Sequence, residues 1–176
     1  MAKKKKAAPE GNGASGKTAA GPADGPDMEG AQFGILAQFI KDLSFESPNA
    51  PHSLQTPGEN AKLEVNVQVQ AIKHADEIYE VDLMFESKAQ SDAGVIYNIE
   101  LVYGAMFQAT NIPDDYLLPV LYVDAPTIMF PFMRRVVADL TRDGGFQPLM
   151  LDPIDFGALF QKNSENAKIQ DAQTES

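Results

Sequence analysis

The residues best equipped for chemistry in this chain are carboxylates at short spacing and two histidines. Asp42 and Glu46 flank Phe45 in "KDLSFESPNAP", residues 41–51, and further acids recur through residues 64–100. Acid–base catalysis needs one carboxylate of a pair held in an apolar pocket, so that the two titrate apart. Asp42 and Glu46 instead lie in an alternating segment that turns both toward water. His52 and His74 have no second histidine one helical turn away and read as loop and surface residues. The string "GASGKT", residues 13–18, looks like the end of a phosphate-binding loop, but no strand precedes it. There is no Gly-x-Ser-x-Gly elbow, no His-Glu-x-x-His pair and no cysteine. The expectation is a protein that is not an enzyme and uses no metal or cofactor.

Composition narrows the classes further. The chain has 176 residues, 44% hydrophobic, enough for one domain with a core. A formal charge of −11 argues against nucleic acid or an anionic membrane surface as partner and favours a basic one. The basic start "MAKKKK" has no apolar run behind it, so it is not a secretory signal, and apolar stretches read as too short to enter a membrane. A soluble, intracellular protein is expected. Residues 1–31 are rich in Gly, Ala, Pro and Lys, and residues 162–176 are polar. Both read as disordered tails around a folded unit at 32–161.

That unit begins with four period-two segments. "FGILAQFIKDLSFES" places Phe33, Ile35, Ala37, Phe39, Leu43 and Phe45 on one face, with Lys41 interrupting the row. "KLEVNVQVQAIK", "IYEVDLMFESKAQ" and "GVIYNIELVYGAMFQ" alternate more cleanly, joined by the short connections "HADE" and "QSDAG". After Pro113 the period becomes helical. "PDDYLLPVLYVD" reads as a short or kinked helix. "DAPTIMFPFMRRVVADLTRDGG" reads as a longer one, capped by Asp124, stopped at Gly144 and Gly145, and kinked or delayed by Pro131. Its apolar stripe is Ile128, Met129, Phe132, Val136, Val137 and Leu140. A last helix in "LDPIDFGALFQKN" has Asp152 as its cap. Four strands followed by two or three helices is an α+β arrangement: an antiparallel sheet with one face covered and one wet.

On the wet face Asp42, Glu46, Glu64, Glu80, Asp82, Glu86 and Glu100 project with only Lys62 and Lys88 among them. This pattern fits an ordinary solvated face, or a docking surface for a basic partner. The many Phe and Met side chains exceed what one sheet and its helices can cover, which points to a subunit interface with spare apolar groove.

Three ordered blocks, "KDLSFESPNAPHSLQ", "APTIMFPFMRRVVADLTRDGGF" and "LMLDPIDFGALF", together resemble the SecB family of bacterial protein-export chaperones from Phe33 to Phe160. The resemblance implies a Greek-key-like sheet in a cytoplasmic homotetramer, a dimer of dimers. Such a protein holds unfolded precursors without nucleotide and hands them to the motor ATPase SecA. It implies SecA contacts at Asp42, Glu46 and Glu100, and at Asn98, where the family usually carries a different side chain. It implies a client groove along residues 48–56 and the last helix, with Phe39, Phe45, Leu54 and Phe156 as lining. It also implies packing of Ile99, Leu101, Tyr103, Phe132 and Val136 between subunits. Phe146-Gln147-Pro148 departs from the family's usual Phe-Pro, and the N-terminal tail is unusually long. The competing expectation is an acidic adaptor that binds a basic protein and holds no clients.

Overall fold

A computed structural model describes residues 30–164 and 167–171. The lysine run, the "GASGKT" string and the stretch expected as an N-terminal tail, save Gly30 and Ala31, lie outside the described residues. The four alternating segments form strands β1 (Gln32–Glu46), β2 (Lys62–Ala75), β3 (Ile78–Ser91) and β4 (Gly94–Thr110). Neighbouring pairs among them are antiparallel, in the order β1-β4-β3-β2. Two tight turns link β2, β3 and β4, and Glu77 and Gly94 take the positive φ that such turns need. The chain from β1 crosses to β2 through a loop that holds the four-residue helix α1 (His52–Gln55). Three consecutive hairpin strands and a first strand returned beside the last make a Greek key.

A fifth strand makes the sheet mixed. β5 (Ile169–Asp171) runs parallel to β2 and pairs Ala71 with Ile169, Ile72 with Gln170 and Lys73 with Asp171. The stretch expected as a disordered C-terminal tail is thus in part placed. Its composition is polar, and only Ile169, half-buried at the core's margin, signals the pairing.

The helical region also differs from expectation. α2 (Asp114–Pro119), a π-helical turn (Val120–Asp124) and α3 (Ala125–Asp143) run on as one helix of 30 residues. Pro119, Pro126 and Pro131 each remove a donor N–H, and the wider turn is where the ladder adjusts, with Ala125 N–H bonding Val120 C=O. Asp124 is therefore helical and caps nothing. This helix contains an apolar 18-residue window of mean hydropathy 1.3, long and apolar enough to cross a membrane by length and composition, contrary to the sequence expectation. It lies on the sheet, with only 39% of that window buried.

Leu121, Ala125, Met129, Met133, Val137 and Thr141 recur every fourth residue and are all fully buried. They form one ridge against Val81, Leu83 and Phe85 of β3 and Ile99, Leu101 and Phe107 of β4. The expected stripe is split. Met129 and Val137 join the ridge, while Ile128 and Phe132 stand on a second row, 42% and 43% exposed. Sequence periodicity cannot say which of two adjacent apolar rows meets the sheet.

The helix ends in a Schellman turn: Phe146 N–H bonds Thr141 C=O at 3.0 Å and Gly145 N–H bonds Arg142 C=O at 3.0 Å. Gly145 supplies the left-handed residue at φ +87°. The last helix, α4 (Phe156–Asn163), is capped by Asp155, whose Oδ1 accepts from Ala158 N–H at 2.9 Å, rather than by Asp152.

A side chain at Gly145 would adopt a disfavoured φ and sit 3.2 Å from Leu54 Cδ2. Gly145→Ala is expected to lower unfolding free energy by about 1–2 kcal/mol, read as a fall in the urea midpoint at unchanged slope.

Candidate protein-docking site

The sheet has one face under the helices and one facing away from them, and β1 decides which residues reach the outer face. Two register shifts, between Ile35 and Ala37 and between Ile40 and Asp42, insert Leu36 and Lys41 as bulge residues. Each resets the alternation. Leu43 and Phe45 fall opposite Leu101 and Ile99 on the helix side, whereas Asp42, Ser44 and Glu46 fall opposite Val102, Glu100 and Asn98 on the outer side.

Continuing across the sheet, one outer row runs Glu46, Asn98, Lys88, Glu64 and the next Ser44, Glu100, Glu86, Asn66. Asp42, Glu46, Glu64, Glu86 and Glu100 are all exposed. Glu86 and Glu100 face each other directly, an arrangement that costs stability. Among the described residues Lys88 forms no ion pair. The two rows border a shallow depression of about 590 Å³ between Glu64, Asn66, Glu86, Lys88, Asn98 and Glu100. Asp42, Glu46, Asn98 and Glu100 therefore form one contiguous patch.

Glu80 and Asp82 do not belong to that solvated set. They are 6% and 4% exposed, at the far end of the same face. Lys41, thrown out by its bulge, donates to Glu80 Oε1 at 2.7 Å and to Asp82 Oδ2 at 2.8 Å. His74 Nε2 donates to Glu80 Oε2 at 2.6 Å. Burial pushes the Glu80 carboxyl up, but the bonds from Lys41 and His74 outweigh it and hold it below the usual carboxylate range. Burial wins at Asp82, with the Glu80 charge adding to it, and raises its carboxyl despite Lys41. Phe39 helps exclude water here. Its ring lies over Gly104, where an added Cβ would stand 2.6 Å from Phe39 Cε2 and 3.1 Å from Asp82 Oδ1. The interrupted apolar row at Lys41 is the sequence signal of this cluster, since a bulge is what changes the phase of an alternating strand.

Of the proposed groove residues, two come together. Phe45 stacks near Tyr97 with ring centroids 5.9 Å apart, Tyr97 meets Phe146 at 5.1 Å, and Leu54 lies beside Gly145 at the rim, 43% exposed. Phe39 is on the opposite face. Phe156 is 2% exposed, packed edge-on to Phe130 at 6.0 Å, and lines no open groove. Ser47 Oγ and Asn49 Nδ2 bond the carbonyls of Ile96 and Val95 and fix the start of the crossover loop. Ile99, Leu101 and Tyr103 are at most 7% exposed within the single chain, so its own helix already covers them and they offer a partner subunit little surface. Phe132 is exposed and Val136 half-buried.

Residues 27–167 match the family model described as preprotein translocase subunit SecB. The chain belongs to the SecB family. It is 45% identical over 164 residues to the protein-export protein SecB of a Bradyrhizobium species, covering 93% of this chain and 96% of that one. It is 48% identical over 134 residues to that of Zymomonas mobilis, covering 76% and 81%. Among solved structures, a SecB-like chaperone of Mycobacterium tuberculosis in complex with an antitoxin peptide superposes with a TM-score of 0.58 at 16% identity, over 70% of this chain and 90% of that one. That likeness is one of fold. The family is one of protein-export chaperones.

Lys41→Met would leave Glu80 and Asp82 buried without their cation. Because the lysine itself is 42% exposed, the expected loss at neutral pH is about 1–3 kcal/mol, below that for a fully buried pair. Glu80's lowered carboxyl contributes stability that is present above the usual carboxylate range and lost as pH falls through its folded value. The difference between variant and native protein should therefore shrink on acidification. Urea unfolding at neutral and acid pH measures both.

Proposed function

We propose that this chain is an ATP-independent cytoplasmic chaperone that holds precursor proteins unfolded and delivers them to SecA. The observation that carries the reading is the division of the outer surface. One contiguous patch is acidic, and separate surfaces are apolar and uncovered. Ile128 and Phe132 stand exposed along the long helix, Leu54 at the crossover loop, and Ile35, Leu36, Ile40 and Leu43 along β1. Unfolded chains are recognised by adaptable apolar surface, and a folded motor is recognised by charge complementarity; keeping the two apart lets one protein hold both.

In this reading Asp42, Glu46 and Glu100 contact SecA, with Asn98 at the patch centre in a lesser role. Clients lie along Phe45 and Leu54 at the crossover loop. The working unit is a homotetramer, a dimer of dimers. β1 has β4 on one side and, among the described residues, no strand on the other. A 15-residue strand with that edge open invites pairing with a second copy, and the row of Ile128, Phe132 and Val136 would then pack between dimers. The mycobacterial neighbour, with its bound peptide, supports capture of polypeptide by this fold.

Native mass measurement with and without an unfolded protein, alongside aggregation suppression in the absence of nucleotide, tests the reading. A tetramer that takes up the unfolded protein is expected. A monomer that suppresses no aggregation overturns it, and binding of a basic protein without client uptake would favour the adaptor instead. Asp42→Ala and Glu46→Ala should each weaken SecA binding by about three- to tenfold, more so at low salt, with client uptake unchanged. Binding titrations at two ionic strengths read this out. Loss of client uptake with SecA binding intact would show that the faces are misassigned.

A further inference from the structure

β2 is paired to β3 along its whole length on one side, but on the other side only Ala71, Ile72 and Lys73 carry a partner, β5. The edge of Lys62–Gln70 carries no strand among the described residues. On the helix-facing side of β2, burial falls away toward the N-terminal end of the strand. Ala71 is fully buried and Val69 and Val67 are half-buried, while Val65 and Leu63 are 46% and 45% exposed. A cavity of about 470 Å³ lies there between Val67 and Val69 of β2, Tyr122 of the π-helical turn, and Leu159 and Phe160 of α4. Ala167, at the entry to β5, closes one end of it.

The segment at that end is held by a small set of bonds. Tyr122 Oη donates to Lys168 C=O at 2.6 Å and accepts from Lys168 N–H at 3.2 Å, so one hydroxyl satisfies both backbone groups of one residue. Gln70 Nε2 donates to Gln170 Oε1 at 2.9 Å. Ile169 packs against the core's margin. Three ladder pairs, one hydroxyl and one apolar side chain are a short attachment. Such contacts differ little from those any extended chain with an apolar residue at the right position could offer.

We propose that the β2 edge and its adjoining cavity are a strand-addition site for extended polypeptide, and that residues 167–171 are its built-in occupant, competing with clients for it. The proposal deepens the chaperone reading and rests on it. The site takes a client by its backbone, with apolar side chains at alternate positions turned toward Val67, Val69 and Phe160 where Ile169 now marks the direction. Nine further residues of β2 edge, Lys62–Gln70, give room for about 30 Å of added strand. Backbone recognition suits a chaperone because it asks little of client sequence. A self-segment on the last positions of this edge, with Ala167 against the cavity, weakens binding of any chain that needs Ala71–Lys73 or the cavity for its attachment.

The test uses the full chain and a labelled synthetic peptide of alternating apolar and neutral polar residues, titrated by anisotropy, with hydrogen exchange as a second readout. Ile169→Asp removes the apolar anchor, and Tyr122→Phe removes only the hydroxyl clasp while keeping the ring beside Phe160. Both variants should bind the peptide more tightly, Ile169→Asp by about three- to tenfold, the factor expected if the segment occupies the edge in most free molecules. Both should also speed exchange at Ala71–Lys73 in the free protein. In the native chain, peptide should speed exchange at Ile169–Asp171. Equal or weaker peptide binding by both variants overturns the competition while leaving the chaperone reading intact. If neither native nor variant protein binds any unfolded chain, the chaperone reading falls and the strand-addition site with it.

Discussion

The structure turns on one extra residue in its first strand. Lys41 sits in a β-bulge, and from there its ammonium reaches across β4 to two buried carboxylates on β3. The bulge and the ion pair depend on each other. Without the bulge, Lys41 would occupy a place in the alternation and point to one face or displace its neighbours from theirs. Without the carboxylates, a lysine in mid-strand would have no reason to be held there. The consequence is the phase of everything after it: Leu43 and Phe45 toward the helix, Asp42 and Glu46 away from it. A single-residue slip in a strand exchanges its two faces, so this bond fixes which side of the sheet is acidic.

The long helix makes a comparable division at the other layer. Its ridge from Leu121 to Thr141 fills the groove of the sheet so completely that Ile99 and Leu101 need nothing further. The adjacent row, Ile128 and Phe132, has no counterpart among the described residues. Apolar side chains left on a rigid, well-anchored helix cannot be explained by folding of the single chain, because the core beneath is already closed. In the proposed reading they are surface for another polypeptide. The outer face of the sheet is the opposite case. Glu86 and Glu100 oppose each other across neighbouring strands at a cost to stability, which a cation docked on this face would relieve.

Strands, turns and the helix stop were legible in the sequence because each is set locally, by alternation, by short polar connections and by a glycine at positive φ. The acidic patch was legible for the same reason, since β3 and β4 keep an unbroken period of two through Glu86, Asn98 and Glu100. What escaped was whatever depends on a change of phase or on a choice between equivalent faces. Phe39 counts as a helix-side residue on simple alternation and lies outside because of the bulge at Lys41. Glu80 and Asp82 have the same period as Glu86, yet are buried because Lys41, His74 and Phe39 arrive from elsewhere in the chain. Phe156 and Tyr103 are apolar in any reading, and only the packed structure says that the subunit's own core takes them. β5 was invisible because three ladder pairs on a polar segment leave almost no pattern.

The two ends of the strand order, β1 and β2, then read as different solutions to one problem. An open edge is a template for any extended chain. On β1 the exposed Ile35, Leu36 and Ile40 make the edge adhesive, which suits a partner that is always present, such as a second copy. On β2 the edge of Lys62–Gln70 carries exposed Leu63 and Val65 on one side but Glu64, Asn66 and Gln68 on the other, and three residues of the chain's own C-terminal segment cover its far end. A permanent interface tolerates strong attraction, because it need not be undone. A surface that must take and release chains works better when its occupant is weakly held. The short β5, anchored by one isoleucine and one tyrosine hydroxyl, has the strength appropriate to the second role and not to the first.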